Sequence, residues 1–228
     1  MVWSFEGGWL IYDDHPTYHL RTSTRLTPRE ELMEWLSTAI GLEQVHSDKV
    51  VPIRGGAVGV RSKWGYVVVG EGDGMVLGCP SEQVVVVRTA DCYPVALLGD
   101  GIGALLHVGW RGALRGIALK GLRFLPTSGK VLAVFGPGIC GRCYEVGVEV
   151  VEALVERWQG YSGLRVVNDR YYLDIFELVS HQLMKARGNV EVIAPPMCTF
   201  ESQLLPSYRR GDREERMFTF LKCKKHVS

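Results

Sequence analysis

The sequence feature that most constrains the fold is a series of short, continuous apolar segments. They occupy residues 66–69, 84–88, 95–98, 102–108 and 131–135. A strand with one face in water alternates apolar and polar residues, whereas a strand buried on both faces is apolar throughout. The segments therefore predict central strands of covered sheets. Pro94 cannot donate to a sheet ladder, so we expect it to break the chain between two of these strands.

Helical segments provide the covering layers. The first helix is indicated by Thr27 as its cap, Pro28 at its first position and Gly41 at its end. Three further helices are predicted, at residues 113–124, 148–158 and 174–187. Helices that cover sheets indicate the α+β class. We expect a layered α-β-β-α sandwich with central mixed β-sheets, in a single catalytic domain spanning residues 1–228.

The composition argues against several classes of function. Lys and Arg number 26 against 25 Asp and Glu, so no polyanionic partner such as nucleic acid is indicated. The first residues lack a secretory pattern, and no stretch reaches the roughly 20 apolar residues of a membrane helix. We therefore expect a cytoplasmic protein that does not contact a membrane. Its six cysteines predict thiols, a metal ligand or a nucleophile rather than a disulfide framework.

Polar side chains lie at the ends of the apolar segments. Asp91 and Cys92 follow one predicted strand, His107 ends another, and His46 ends a short apolar segment after the first helix. If these strands end together, His46, Cys92 and His107 form a candidate metal site. Residue type alone leaves another interpretation open. A histidine in an apolar context is more often a structural residue, and a single cysteine is more often a small buried hydrophobe.

A glycine-flanked arginine follows His107 directly, in the sequence Gly109-Trp110-Arg111-Gly112. Glycines let the backbone approach a ligand closely, and a guanidinium binds phosphate with two parallel hydrogen bonds. Arg111 also precedes a predicted helix, whose positive end favours an anion. It is therefore the first candidate for binding phosphate.

Six ordered motifs together resemble a known family. They are Gln-Val-His-Ser (44–47), Glu-Gly-Asp-Gly-Met (71–75), Thr-Ala-Asp-Cys-Tyr-Pro-Val (89–95), His-Val-Gly-Trp-Arg-Gly (107–112), Gly-Pro-Gly-Ile (136–139) with Cys-Tyr-Glu-Val-Gly (143–147), and Ser-Tyr-Arg-Arg-Gly (207–211). The family is the one long labelled multicopper polyphenol oxidase or laccase-like. Its members are understood as purine nucleoside phosphorylases that also act as adenosine deaminases and methylthioadenosine phosphorylases.

The resemblance implies a zinc ion held by His46, Cys92 and His107, with purine nucleosides and phosphate as substrates. Two neutral imidazoles and one thiolate leave zinc a net positive charge and an open fourth position, as in catalytic sites. Zinc lowers the pKa of a water molecule in that position from 15.7 toward about 7, which suits deamination. Asp91 or Asp73 is the candidate for moving protons to the departing ammonia, and Cys92 and His107 complete the predicted catalytic set.

Phosphorolysis additionally needs groups that hold phosphate and the purine. Arg111 is the leading phosphate ligand, and Arg209 and Arg210 are candidates to assist it. Asp73 and Tyr208 complete the predicted substrate site. Tyr208 is the candidate to stack on the purine ring, with a packing role, which is common for a loop tyrosine, as the alternative.

The chain departs from the family pattern in two places. Of the family's usual Thr-Arg-x-Gly-Gly-Val-Ser stretch, only Thr24-Arg25 remains, which affects the predicted substrate preference. The usual Gly-Pro-Cys-Cys-Tyr is replaced here by a Cys-x-x-Cys pair, Cys140 and Cys143. The pair is interpreted as two unlinked thiols in a loop, with a redox pair as the alternative.

Other functions stay open on the sequence. A cysteine hydrolase would use Cys92 as nucleophile and His107 as base. A copper-dependent phenol oxidase would use the same donors, which accept copper on heterologous loading. The six histidines of the chain are too few for several separate copper centres. A non-catalytic binding protein is the remaining alternative.

Overall fold

The computed structural model describes residues 3–55, 58–161 and 163–224. The helices are α1 (Arg29–Thr38), α2 (Trp110–Leu114), α3 (Ile117–Leu122), α4 (Val148–Arg157) and α5 (Ile175–Ala186). The strands are β1 (Ser4–Glu6), β2 (Trp9–Tyr12), β3 (Tyr18–Ser23), β4 (Ala39–Glu43), β5 (Val50–Pro52), β6 (Val60–Arg61), β7 (Val67–Glu71), β8 (Gly74–Gly78), β9 (Val84–Thr89), β10 (Tyr93–Leu98), β11 (Ile102–Val108), β12 (Val131–Phe135), β13 (Glu145–Val146), β14 (Leu164–Val167), β15 (Arg170–Leu173), β16 (Val190–Ile193) and β17 (Met217–Cys223).

Two large mixed sheets contain most of the strands. The order of the eight-stranded sheet is β1-β2-β3-β17-β9-β4-β7-β6, and that of the six-stranded sheet is β16-β12-β10-β11-β8-β5. Strand β4 runs parallel to β7 and β9, and the other pairs of the first sheet are antiparallel. In the second sheet the parallel pairs are the two edge pairs, β12 with β16 and β5 with β8. A small third sheet contains β13, β15 and β14.

The central strands are buried on both faces, as their continuous apolar character predicts. In β10, Val95 and Leu97 pack in the cluster beneath helices α2 to α5. Their neighbours Ala96 and Leu98 point to the opposite face and pack between the two sheets. All four side chains are fully inaccessible to solvent. Polar side chains that line a pocket are therefore expected beside the ends of β10 and not within it.

Helices cover the outer faces of both sheets. Leu36 of α1 packs with Trp9 and Phe220 on the eight-stranded sheet. Leu178 and Leu183 of α5 belong to the large cluster on the six-stranded sheet. The layer order is therefore helix, sheet, sheet, helix, which confirms the predicted single-domain α-β-β-α sandwich with mixed sheets. None of the helices in the described ranges is long and apolar enough to cross a membrane.

Several element boundaries differ from the sequence prediction. The helix predicted at 113–124 is two helices, because Gly116 adopts a left-handed conformation (φ 74°) between α2 and α3. Helix α1 ends at Thr38, and Gly41 lies in β4, where a Cβ atom would come within 2.5 Å of the Tyr66 ring. Thr27 does not cap α1: its hydroxyl donates to the carbonyl of Gly8.

Pro94 and two cysteines also contradict the prediction. Pro94 lies inside β10, so the break between strands falls before it, at residues 90–92. Cys79 and Cys223 form a disulfide, although thiols were expected. Their separation of 144 residues leaves no local spacing signal, and only the packing of the two sheets brings them together. The bond joins the end of β17 in one sheet to the residue after β8 in the other.

Candidate active site

The segment 90–92 crosses from one sheet to the other, because β9 belongs to the eight-stranded sheet and β10 to the six-stranded sheet. Asp91 has a positive φ of 84°, a conformation that is uncommon for residues other than glycine. Its carboxylate accepts hydrogen bonds from the Thr199 hydroxyl at 2.7 Å and from the Arg209 backbone at 2.7 Å. These contacts fix the crossing and place Cys92 immediately before β10.

His107 is brought to Cys92 by the pairing of β10 with β11. The register places Pro94 opposite His107 and Tyr93 opposite Val108, so Cys92 lies beside Gly109. The His107 side chain is only 4% exposed. The antiparallel pairing thus brings Cys92 and His107 together, as the sequence predicted. Cys92 precedes the start of β10, whereas His107 lies near the end of β11.

His46 reaches the same point from the loop after β4. It has a positive φ of 58°, and its ring centroid lies 4.8 Å from that of His107 at an interplanar angle of 75°. Gly109 leaves the space for this approach. A Cβ atom on Gly109 would lie 3.0 Å from the Cys92 sulfur and 3.3 Å from the His46 ring, which is tighter than ordinary van der Waals contact.

One carboxylate supports two of the three side chains. Asp73, just before β8, accepts a hydrogen bond from His107 Nδ1 at 2.7 Å. The same carboxylate accepts from the backbone N–H groups of His46 at 3.1 Å and Ser47 at 2.6 Å, and from the Ser47 hydroxyl at 2.7 Å. Asp73 therefore orients the His107 ring and holds the loop that carries His46.

The donor atoms of His46, Cys92 and His107 all lie within 4.8 Å of one another. Two imidazole nitrogens and one sulfur are donors that suit zinc and copper, and three protein ligands leave a coordination position for substrate or water. The contact between His107 Nδ1 and Asp73 directs the other ring nitrogen toward the cluster. A carboxylate behind a histidine is the usual support of a metal-binding imidazole. The residues present therefore fit a metal ion.

The charges within the cluster depend on one another. Burial raises the pKa of the Cys92 thiol, but the positive charge of His107 and hydrogen bonds from both histidines outweigh it and lower the pKa to about 6. Burial lowers the pKa of His107, whereas the Cys92 thiolate and the hydrogen bond to Asp73 raise it to about 9. Burial likewise raises the pKa of Asp73, and hydrogen bonds from His107 and Ser47 lower it to about 2.

The cluster opens into a pocket of about 480 Å³, a volume in the range of small-molecule sites. The pocket is lined by Gln44, His46, Arg88, Thr89, Ala90, Asp91, Cys92, His107, Trp110, Arg111, Tyr144, Tyr208, Arg209 and Arg216. Arg111, Arg209 and Arg216 make no ion pair with a carboxylate among the described residues. The pocket lining therefore carries positive charge that a bound anion would neutralise.

Most of the side chains that the sequence indicated meet in this pocket. Arg111 stacks over the Trp110 ring, with its guanidinium carbon 4.3 Å from the centroid. Tyr208 is 47% exposed at the rim. Two residues are placed differently. Asp73 does not line the pocket because its oxygens face the protein donors behind His107. Arg210 is turned away and donates to the carbonyls of Thr199, Phe200, Ser202 and Leu205 and to Asp212.

Sequence reasoning assigned no role to Gln44, Arg88, Tyr144 and Arg216. The Gln44 amide and the Arg88 backbone exchange two hydrogen bonds, of 2.8 and 2.9 Å, which tie the His46 loop to the end of β9. Gln44 and Tyr144 are members of two of the quoted motifs, and Arg88 ends an apolar strand in the way that Asp91 and His107 do. The position of Arg88 at the end of an apolar segment is therefore a signal that the sequence itself carries.

Comparison with known proteins relates the chain to one family. A family model described as "Multi-copper polyphenol oxidoreductase laccase" matches residues 21–224. A purine nucleoside phosphorylase of Aquifex aeolicus is 35% identical over 151 residues, which cover 65% of this chain and 69% of the relative. The purine nucleoside phosphorylase YfiH of Shigella flexneri is 30% identical over 191 residues, covering 81% and 74%. An adenosine deaminase, RL5, of an unknown prokaryotic organism is 43% identical over 76 residues, covering 31% and 29%.

Solved structures have the same fold. The structure of YfiH from Bacillus licheniformis matches with a TM-score of 0.81 at 21% identity, covering 96% of this chain and 97% of that one. YlmD from Geobacillus stearothermophilus matches with a TM-score of 0.80 at 23% identity, covering 98% and 99%. The shared architecture, the extent of the family match and the ordered motifs agree. The chain belongs to the multi-copper polyphenol oxidoreductase laccase family, in which curated relatives carry the name purine nucleoside phosphorylase.

Proposed function

We propose that this chain is a zinc-dependent purine nucleoside phosphorylase that also deaminates adenosine and cleaves methylthioadenosine. The observation that carries the proposal is the pocket itself, which is lined both by the His46, Cys92 and His107 donors and by arginines that form no ion pair with any carboxylate in the described part of the chain. A pocket of this volume accommodates a nucleoside together with phosphate. The names of the relatives point to the same substrates, and the RL5 relative supports the deaminase activity.

The three donors are assigned as the zinc ligands, with Asp73 as the residue that positions His107. When bound, the ion supplies Lewis-acid chemistry at its open coordination position. The carboxylate of Asp73 keeps one nitrogen of His107 protonated, so that the other has a lone pair for the metal. Asp73 therefore acts through His107 and not as the proton-transfer group.

Arg111 and Arg209 are assigned to phosphate. Arg111 lines the pocket with an exposed side chain, and its guanidinium carbon lies over the Trp110 ring. The Arg209 guanidinium carbon lies 5.0 Å from the centroid of the Tyr144 ring, and its Nη1 donates to the carbonyl of Glu145 at 2.6 Å. Each guanidinium is thus oriented by contacts that leave other N–H groups for an anion. During phosphorolysis these groups would hold phosphate as its oxygen attacks the anomeric carbon of the ribose.

Asp91 and two tyrosines are assigned to the nucleoside. Asp91 is the carboxylate that lines the pocket, and its two fixed hydrogen bonds leave lone pairs for a proton of the base or of the leaving ammonia. Burial raises the pKa of Tyr144, and the negative groups Cys92 and Asp91 raise it further, so its phenol stays neutral. Tyr208 at the rim remains the residue proposed to stack on the purine.

Product analysis tests the proposal directly. Purified protein of known metal content would be given adenosine, inosine or methylthioadenosine, with and without phosphate, and the products separated by chromatography. We expect free base only when phosphate is present, and inosine from adenosine in its absence. Unchanged substrates in every sample would reject both activities.

A matched pair of arginine variants tests the phosphate assignment. Arg111→Ala removes charge-assisted hydrogen bonds, and we expect the KM for phosphate to rise about tenfold or more. Arg115→Ala removes an exposed arginine outside the pocket and should leave that KM unchanged. An equal effect of both variants would show that Arg111 acts only through the general field of the protein.

A second candidate function, a cysteine hydrolase, is favoured by one observation. Cys92, His107 and Asp73 form a contact chain of the kind that joins a nucleophile, a base and the group that orients the base. Alkylation separates the two functions. A nucleophilic Cys92 reacts with iodoacetamide in the protein as isolated, whereas a zinc-bound thiolate reacts only after a chelator has removed the ion.

A multicopper oxidase is not supported by the described residues, since only one of their metal-type clusters contains histidine. The same cluster would still accept copper when copper is supplied in excess. The cytoplasmic location expected from the sequence stays a prediction.

A further inference from the structure

A second group of metal-type donors lies outside the pocket lining. The sulfurs of Cys140, Cys143 and Cys198 and a carboxylate oxygen of Glu201 all lie within 4.8 Å of one another. Cys143 Sγ is 3.5 Å and Cys140 Sγ is 4.0 Å from the same oxygen, Glu201 Oε1. We propose that these four side chains bind a zinc ion that has a structural role. This site is separate from the pocket, and only the total metal count in its test relies on the proposed function.

The four donors come from two short turns of the same spacing. Cys140 and Cys143 form one pair, and the backbone N–H groups of Cys143 and Tyr144 both donate to the Cys140 carbonyl, at 2.9 and 3.1 Å. Cys198 and Glu201 form the other pair, whose turn is closed by a 3.1 Å hydrogen bond from Ser202 to the Cys198 carbonyl. Paired donors separated by two residues are a common arrangement in structural zinc sites.

Backbone contacts hold the two turns together independently of any ion. Gly138 and Cys198 form a parallel β-bridge, and Thr199 donates to the Gly138 carbonyl at 3.0 Å. The backbone N–H of Cys140 also donates to Cys198 Sγ at 3.3 Å. The donors are therefore preorganised by the chain.

The donor types select the metal. Three sulfurs and one carboxylate provide four ligands, the number in closed tetrahedral zinc sites, whereas calcium and magnesium prefer oxygen ligands alone. Each thiol must release its proton when the ion binds. Arg142 Nη2 lies 3.2 and 3.4 Å from the two Glu201 oxygens, so its charge partly offsets the negative charge that the four ligands leave on the site.

The four donors lie next to residues that contact Asp91, so an ion bound there would stabilise those contacts. Ile139, next to Cys140, donates to the carbonyl of Asp91 at 2.9 Å, and Thr199, next to Cys198, donates to the Asp91 carboxylate at 2.7 Å. An ion held by both turns would fix the two contacts that orient Asp91 in the pocket. It would act by positioning and would not touch substrate.

Metal content tests the proposal. Full-length protein purified without chelators would be analysed by elemental mass spectrometry together with Cys92→Ala and Cys143→Ser. We expect two zinc ions per chain in the wild type, one in each variant and none in the double variant, because the two clusters share no residue. One ion in the wild type that disappears entirely in Cys92→Ala would overturn the proposal. So would iron accompanied by inorganic sulfide, or a disulfide among the three cysteines in freshly reduced and zinc-reconstituted protein.

Glutamate variants test the site independently, in case the cysteine variant does not fold. Glu201→Gln keeps all three thiols, and we expect zinc affinity at the second site to fall at least tenfold, because even the loss of a residue that only supports a ligand costs about that much. Glu152→Gln changes an exposed glutamate of α4 and should leave both affinities unchanged. Circular dichroism confirms the fold of each variant, and competition with a chromophoric chelator measures the affinities. Equal affinities in Glu201→Gln and the wild type would remove Glu201 from the site and overturn the four-ligand assignment.

Discussion

The two cysteine-containing clusters of this protein are built in opposite ways. His46, Cys92 and His107 come from three remote segments, and the Asp73 carboxylate supports two of them. The other cluster comes from two turns with donors three residues apart, and backbone hydrogen bonds support it. The first cluster leaves a coordination position facing a pocket, whereas the second provides four donors and faces no substrate. Tertiary packing thus gathers three single residues in the open cluster, whereas in the second cluster it joins two turns that each already present a pair of donors.

The two clusters also differ in how their surroundings shift the pKa of their cysteines. The charge of His107 lowers the pKa of Cys92 against the effect of burial. Burial raises the pKa of Cys143, and the neighbouring thiols Cys140 and Cys198 raise it further. A thiolate therefore exists at Cys92 because a positive group of the protein lies beside it.

The largest effect is expected for Cys92→Ala. The variant removes the only sulfur of the pocket cluster, so we expect loss of its metal ion and a fall of nucleoside turnover to background. Zinc analysis and the chromatographic assay on the same preparation measure both. Full retention of zinc at the pocket site would refute the ligand assignment. Cys143→Ser is the matched variant in the other cluster and should keep the pocket ion.

The disulfide is expected to stabilise the fold without affecting either cluster. Replacing both Cys79 and Cys223 by alanine removes a cross-link that closes a loop of 144 residues. We expect the free energy of unfolding to fall by about 2–4 kcal/mol, measured by urea denaturation. Zinc content should not change. An unaltered unfolding midpoint would mean that the bond contributes little to the packing of the two sheets.

Asp73→Asn tests the support of the open cluster. An amide cannot replace the charge that accepts from His107, His46 and Ser47, so we expect metal affinity at the pocket to fall about 10- to 100-fold. Competition with a chelator measures it. Asp48→Asn, one residue beyond Ser47, removes only a partly exposed ion pair with Lys120 and should have no measurable effect on metal. Equal affinities in Asp73→Asn and the wild type would leave Asp73 without its positioning role.

The smallest effect is expected for Gly109→Ala. The added Cβ would lie 3.0 Å from Cys92 Sγ and 3.3 Å from the His46 ring, so the donors must move by a few tenths of an ångström. Because a misplacement of 1 Å costs about a hundredfold, we expect metal affinity and turnover to fall about two- to tenfold. Gly188→Ala, where a Cβ would meet nothing within 4 Å, serves as the comparison and should behave as the wild type.

The central strands were predictable because their apolar character is a local property of the chain. The segment predicted at 102–108 coincides with β11 and that at 131–135 with β12. The helix predicted at 113–124 was wrong because Gly116, read as part of a helix, takes a left-handed conformation. Propensity does not specify which conformation a glycine adopts. Polar side chains at the ends of apolar strands correctly predicted that His46, Cys92 and His107 lie together, while their role as ligands stays a prediction.

Residue order by itself determined the layers of the fold, the family resemblance and the three donors of the pocket, because periodicity and ordered motifs are written along the chain. Only the tertiary structure decided what depends on segments remote from one another. It turned Asp73 away from the pocket and toward His107, joined Cys79 to Cys223, and brought Cys198 and Glu201 to the Cys140–Cys143 turn. Such contacts arise from how strands cross and sheets pack, and no spacing within a single segment encodes them.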